Sequence, residues 1–212
     1  MLPYHSPTDI IINWGVLTKM EKKSIGKLLL GEWNTRTIVA VAIGAALFGV
    51  LMVWGSIPVF TNTYLTTAMI IPVIVGALFG ALPACIATLV GNCLADLIGG
   101  WGFWFDWSIG NGVLGFCIGL LPLYGARIKE GIFTVKHAII YAIVAVLGNS
   151  FAFGVVTPVM TSLFYSTDLE ITFLQSFASS ISNSAVLIIV GIPLLFILAK
   201  RNAKRNNLTE EE

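Results

Sequence analysis

The side chains able to do chemistry in this sequence are few, and several stand where an apolar chain should not hold them. Asn92 and Asp96 are four residues apart in an apolar run, so a helix there places both on one face. Asn111 and Asn149 stand in two further apolar runs, the second followed by Ser150. Asn183 stands in a fourth run, among Ser179, Ser180, Ser182 and Ser184. Amides, hydroxyls and one carboxylate offer hydrogen bonds and a single negative charge, which is binding chemistry. Bond-breaking chemistry finds no support. A Ser/His hydrolase needs the two side chains facing each other, and the only histidines, His5 and His137, fall near the opposite ends of the runs from these serines. No H-E-x-x-H or Cys/His cluster has metal-ligand spacing, and Gly26-Lys27 lacks the rest of a G-x-x-x-x-G-K-[ST] phosphate loop. The expectation is no catalytic residue, no resident metal, no cofactor and no enzyme. Too few buried charges pair for a proton relay or an ion-coupled pump, and nucleic acid is not an expected partner.

Aromatic residues form a second group. Trp101-Gly-Phe103-Trp104-Phe105-Asp106-Trp107 is the densest, with Phe60 and Tyr64 before it and Phe164 and Tyr165 after it. Trp101, Trp104 and Trp107 read either as an interfacial belt or as a stacking lid over a ligand. Cys85, Cys93 and Cys117 form no C-x-x-C pair and read as small apolar packing residues.

The elements that position these groups follow from composition. Of 212 residues, 57% are hydrophobic and 11% are charged, whereas a soluble domain carries about 25% charged residues. So short a chain still exposes much of its surface, so the solvent must be lipid. Residues 1–34 carry charges and no cleavable apolar leader; they read as a cytoplasmic segment, either an interfacial helix or a loose tail. A membrane domain follows over 35–200, with spans expected at 37–58, 66–81, 83–98, 108–125, 137–157 and 175–199, and a polar, frayed cytoplasmic tail at 201–212. The apolar stretch 66–98 is too long for one comfortable span. Its division is placed at Gly76–Pro83, because Pro83 cannot continue a helix interior without losing a hydrogen bond.

Charge supports that division. All twelve Lys and Arg fall before residue 37, at 127–136 or at 200–205. The positive-inside rule puts all three groups in the cytoplasm, so an even number of spans must separate Arg36 from Arg127. The fold expected is an all-α six-transmembrane-helix bundle with both termini cytoplasmic and outer loops at 58–65, 99–107 and 158–174. On that topology Asn92, Asp96, Asn111, Asn149 and Asn183 all lie within roughly 15 Å of the outer surface, and Asp96 is the one acid expected this deep. Each alone reads as interhelical glue. One Asn on each of four helices, all in the outer half, points instead to a cavity open outward, where Asp96 binds a cationic group, is neutral or is paired by hydrogen bonds. Span one has no strong polar group. Ala42 and Ala46 form a small-x-x-x-small face with Gly44 and Ala45 beside them, suited to packing in the bundle or to docking a second protein.

Five pieces carry a family resemblance: Thr37-Ile-Val-Ala-Val-Ala-Ile-Gly-Ala-Ala-Leu47, Ile57-Pro58, Asn62-Thr63, Gly76-Ala-Leu-Phe-Gly80 and Gly110-Asn-Gly-Val-Leu-Gly115-Phe-Cys-Ile-Gly119. In this order, over residues 35–200, the chain resembles the substrate-binding S components of energy-coupling factor (ECF) vitamin transporters, nearest the subfamily labelled ECF-type riboflavin transporter, S component. The resemblance implies a six-helix bundle in the bacterial cytoplasmic membrane that binds a vitamin near its outer face. It implies an energising module of a T-type transmembrane subunit plus two ATP-binding cassette ATPases, docked on the first helix at Ala42 and Ala46, with Ala45 beside them. It makes the first outer loop a gate, with Asn62 and Tyr64 as binding candidates. The scaffold serves riboflavin, thiamine, folate, biotin, pantothenate and cobalamin in different members; the tryptophans lean the expectation toward the bulky rings of riboflavin or cobalamin. The competing expectation is a self-sufficient small-solute transporter or channel without an ATPase module.

Overall fold

A computed structural model describes residues 26–27, 29–60, 63–165 and 168–210. Asn62 and nearly all of the N-terminal segment, 1–25 and residue 28, lie outside the described residues. Helix α1 spans Thr35–Trp54 and is capped by Asn34, whose side chain accepts from the Thr37 amide at 3.0 Å. The expected loop after it is a hairpin, β1 (Ser56–Phe60) paired antiparallel with β2 (Thr63–Thr66) in the register Ser56–Thr66, Ile57–Leu65 and Pro58–Tyr64. Pro58 has no amide to donate and is tolerated on an edge strand. Thr66 Oγ1 donates to the Leu51 carbonyl at 3.2 Å and the Thr67 amide to the Gly55 carbonyl at 3.0 Å, which ties the hairpin to the end of α1.

A 3₁₀ turn, Thr67–Met69, leads into helix α2 (Ile70–Phe79). The break before helix α3 (Ala81–Gly99) falls at Gly80, with φ 107° and ψ 178°. The break lies inside the expected stretch Gly76–Pro83, but the residue that makes it is Gly80 and not Pro83. Only glycine adopts that backbone comfortably, whereas Pro83 sits in the first turn of α3, where its missing N–H costs nothing. Helix α4 covers Phe105–Ile118 and starts three residues before the expected span. Helix α5 (Val135–Phe151) begins with a capping box of Thr134 and His137 and continues through a π segment, Ala152–Val156, into α6 (Thr157–Phe164). The expected loop 158–174 therefore shrinks to a short connection before helix α7 (Leu169–Ile189), whose Asp168 cap accepts from the Glu170 amide at 2.9 Å. Helix α8 (Gly191–Glu210) carries the polar tail in ordered form: Asn202 and Asn206 donate to the carbonyls of Ile128 and Lys129 at 3.0 and 3.2 Å. The tail expected at 201–212 is helical as far as Glu210, and these amides dock its first part on the 127–130 turn.

Among the described residues five helical stretches are long and apolar enough to cross a membrane, and the stretch Thr67–Phe79 is a shorter apolar helix. The protein is a multi-pass membrane protein. Chain direction shows in which residues meet. A Cβ on Gly44 would lie 3.1 Å from Val75 of α2 and 3.4 Å from Ala87 of α3, and one on Gly49 would lie 3.0 Å from Leu94. Ascending numbers match between α1 and α3, while Val75 and Ala87 meet at one level on either side of Gly80, so α2 runs opposite to both. Gly112 meets Leu89, Gly115 meets Ala84 and Gly119 meets Ala81, so α4 is antiparallel to α3. The conspicuous glycines of α4 are thus contact points where two backbones approach closely. Gly148 of α5 meets Cys117, and Asn149 bonds Ser180 and Ser184 of α7, so direction alternates throughout.

All described Lys and Arg gather at one end of the bundle, where the 127–130 turn, the start of α5 and the end of α8 meet. The hairpin and the connections 100–104 and 165–168 lie at the other. Next to the basic end the core is mostly apolar: Val73, Ile118, Leu187 and Leu195 are buried there beside the rings of Tyr124 and Tyr141, and Lys129 Nζ lies 5.6 Å from the Phe79 ring at its edge.

Candidate functional site

Inward-facing positions of α7 change character along the helix. Thr172, Ser176, Ser179 and Asn183 recur at helical spacing and are buried; the next turns on that face bring Val186 and Leu187. The polar part faces a cavity of about 420 Å³ at the hairpin end. Eight of the ten expected binding residues line it: Asn92 and Asp96 from α3, Trp107 and Asn111 from α4, Asn183 from α7, Tyr64 from β2, and Trp101 and Trp104 from the 100–104 connection.

Its floor is an interlocked amide network. Asn111 Nδ2 donates to Asn92 Oδ1 and to the Trp107 carbonyl, both at 3.0 Å, and Asn92 Nδ2 donates to Ser108 Oγ at 3.1 Å. Ser108 Oγ in turn donates to the Trp104 carbonyl at 3.2 Å. Thr88 Oγ1 reaches the Asn111 carbonyl at 2.8 Å across the glycine-lined contact of α3 and α4. Both asparagines are thus held in fixed orientation on the cavity wall. Asn149 is not among the lining residues. It stands behind the wall, donating to the Ser180 carbonyl at 2.6 Å and Ser184 Oγ at 2.9 Å, and accepting from Asn183 Nδ2 at 3.5 Å. Its place is to position Asn183. Asn62 adjoins Thr63, a lining residue, but is outside the described residues.

The aromatic group divides. Trp101 stacks on Tyr64, centroids 5.4 Å apart and planes within 13°. Trp104 packs on Tyr165 at 4.9 Å, and the Tyr165 hydroxyl donates to the Phe103 carbonyl at 3.0 Å. These rings form a roof that joins the hairpin, the 100–104 connection and the end of α6. Trp107 is no loop residue: it lies in α4, half-buried, 5.7 Å from Phe153 of the π segment. One sequence cluster thus supplies both exposed rings, Phe103 and Phe105, and cavity-lining ones, Trp104 and Trp107.

Asp96 is not the only deep acid, and this is the main correction. Asp96 Oδ2 accepts the Trp104 amide at 3.0 Å. Asp106, expected in an outer loop, lies in the first turn of α4, fully buried, with Oδ2 accepting from Thr161 of α6. Thr63, Thr161, Thr172, Gln175 and Ser179 also line the cavity and were not among the expected residues. The Asp168–Glu170 cap pattern, which starts α7 six residues before the expected span, was the one legible pointer to Thr172 and Gln175.

On α1, Ala42 and Ala46 are exposed, but Ala45 is buried to 3% and turns toward α3, where a Cβ on Gly91 would come 2.9 Å from its carbonyl. Ala45 is packing within the bundle and cannot be part of a docking face. Among the described residues no group of three His, Cys, Asp or Glu is placed to hold a metal. The three cysteines are free and half-buried, and Cys93 Sγ lies 3.4 Å from Ser108 Oγ.

Known proteins resemble this chain in sequence or in fold. A UPF0397 protein of Aliivibrio fischeri is 36% identical over 180 residues, 84% of this chain and 97% of that protein. A UPF0397 protein of Vibrio vulnificus is 37% identical over 180 residues, 84% of this chain and 98% of that protein. Among solved structures, the crystal structure of FolT bound with folic acid superposes with a TM-score of 0.56 at 18% identity, covering 79% of this chain and 96% of that one, which establishes the common fold. The family model described as ECF-type riboflavin transporter, S component, matches residues 32–200, and the chain belongs to that family.

Proposed function

We propose that this chain is the non-enzymatic, substrate-binding S component of an ATP-driven ECF uptake transporter. It sits in the bacterial cytoplasmic membrane with both termini inside and captures a water-soluble vitamin or related micronutrient from outside. Its translocation depends on an energising module of a T-type transmembrane subunit plus two ATP-binding cassette ATPases, met through the exposed face of α1 at Ala42 and Ala46. The observation that carries the reading is the polarity of the bundle: a polar, aromatic cavity at one end, a mostly apolar packed core beneath it, and the described Lys and Arg at the far end. Under the positive-inside rule the basic end is cytoplasmic, so the cavity opens outward and leads nowhere without a large rearrangement. That closure speaks against a self-sufficient channel.

Within the cavity, Asn92, Asp96, Trp107, Asn111 and Asn183 form the walls and floor and Tyr64, Trp101 and Trp104 the roof, and Asn62, beside Thr63 in the sequence, is a further candidate. A volume of about 420 Å³ falls in the usual range for small-molecule sites. It suits a two- or three-ring heterocycle of riboflavin size and is cramped for a corrinoid, which turns the expectation away from cobalamin. The test is transport in liposomes. With the module and ATP, vesicles accumulate labelled vitamin; with this chain alone they accumulate none. Sustained accumulation by the chain alone establishes the self-sufficient transporter instead.

A further inference from the structure

The sequence has no Lys or Arg between Arg36 and Arg127 or between Lys136 and Lys200, and His137 is held at the basic end in the α5 capping box. The described cavity walls come from these two stretches, so among the described residues no cationic side chain lines the cavity. Yet three carboxylates do: Asp96 and Asp106, both buried, and Asp168 at the rim. Opposite charges a few ångströms apart attract strongly once water is excluded, and here the protein supplies only one sign.

Hydrogen bonding points the same way. Asp106 Oδ2 is engaged by Thr161, but Asp106 Oδ1 is buried with no partner. Asn111 spends its amide N–H groups on Asn92 and Trp107, while Asn111 Oδ1 is also buried with no partner. Both residues line the cavity, and both unsatisfied atoms are acceptors. Native proteins pair nearly all such atoms, so this wall of the cavity is short of hydrogen-bond donors. Tyr64, Trp101, Trp104 and Trp107 add faces that favour a flat ring and attract positive charge.

We propose that the cavity is built for an amino-substituted heteroaromatic cation, a flat ring system with a positive charge and exocyclic N–H donors. This rests on the reading of the cavity as the vitamin site and narrows it. A neutral flavin leaves the two acids without a counter-charge. An anionic ligand meets three carboxylates and no cation.

The test uses the full chain in nanodiscs and three probes: thiamine, which joins an aminopyrimidine to a cationic ring, neutral riboflavin and anionic folic acid. Binding is read by calorimetry. Thiamine binds tightest, and Asp106→Asn and Asp96→Asn each weaken it at least about 30-fold, the scale of removing one partner of a buried charge pair. Using both variants guards against one of them failing to fold. The proposal is overturned if riboflavin or folic acid binds as tightly as thiamine, if both variants bind thiamine like the wild type, or if no probe binds. Ser179→Trp, which fills the cavity, separates the two claims. If it abolishes binding of a preferred neutral or anionic probe, the cavity remains the site and only the charge assignment falls. Binding of any probe that survives it removes the site and the proposal together.

Discussion

Tryptophan at both Ala42 and Ala46 is expected to abolish uptake while leaving ligand affinity unchanged. Both positions are exposed on α1, whose opposite side, formed by Gly44, Ala45, Phe48 and Gly49, is buried against the bundle. New indoles at 42 and 46 therefore project away from the cavity and from α3. They do spoil a small-x-x-x-small face, where close backbone approach supplies the association energy. Losing about 1.4 kcal/mol of docking costs a factor of ten in complex, and two bulky rings in a close helix contact exceed that. Uptake by cells carrying the whole transporter is the measurement, with binding to the isolated chain as its companion. Ile139→Trp, which adds an indole at another exposed site on α5, controls for the ring itself. Normal uptake by the double variant would remove α1 as the docking helix.

The largest effect on stability is expected at Gly119. A Cβ there would come 2.8 Å from the Ala81 nitrogen and 3.1 Å from its Cβ, while Gly76 presses from α2, its own Cβ position 2.8 Å from Gly119 Cα. Three backbone segments meet at this point, and none can yield as a flexible side chain would. Overpacking a core costs about 1–3 kcal/mol, more where nothing relaxes. Gly119→Leu should therefore lower the melting temperature by roughly 10 °C, at a few degrees per kcal/mol, or prevent assembly of the bundle. Gly154→Ala is the control, because nothing lies within 4 Å of that Cβ position. A stable Gly119→Leu protein would mean that α2, α3 and α4 do not cross there.

How much of this was legible in the sequence depended on which force set each feature. Apolar runs placed the helices, since lipid forces the backbone to satisfy its own hydrogen bonds. Their ends were harder. Proline reads as a breaker, yet Pro83 sits in a first helical turn where no amide is needed, and Pro158 lies inside the continuous stretch Val135–Phe164, directly after the π segment. The true break at Gly80 depends on a positive φ that any glycine could have supplied. Helix α4 starts after Trp104 without a side-chain cap, so no pattern marked Asp106 as helical, and the second buried acid was read as a loop residue. Thr161 was hidden in the same way, because α5 runs on through its π segment into α6. Asn92, Asp96 and Asn111 were legible because a polar side chain in an apolar span needs a partner. Asn149 met that need behind the cavity wall. Ala45 shows the limit of a composition rule: small residues allow close approach, but only the neighbouring Phe48 and Gly49 tell which side of α1 is already occupied.

The most direct test of the central claim is mass spectrometry of small molecules released from the purified, detergent-extracted protein. If the cavity is the binding site of an S component, a vitamin-like heterocycle copurifies with the wild-type chain in near-stoichiometric amount and is absent from folded Ser179→Trp protein. Equal amounts in both, or no vitamin-like compound from the wild type, would contradict it.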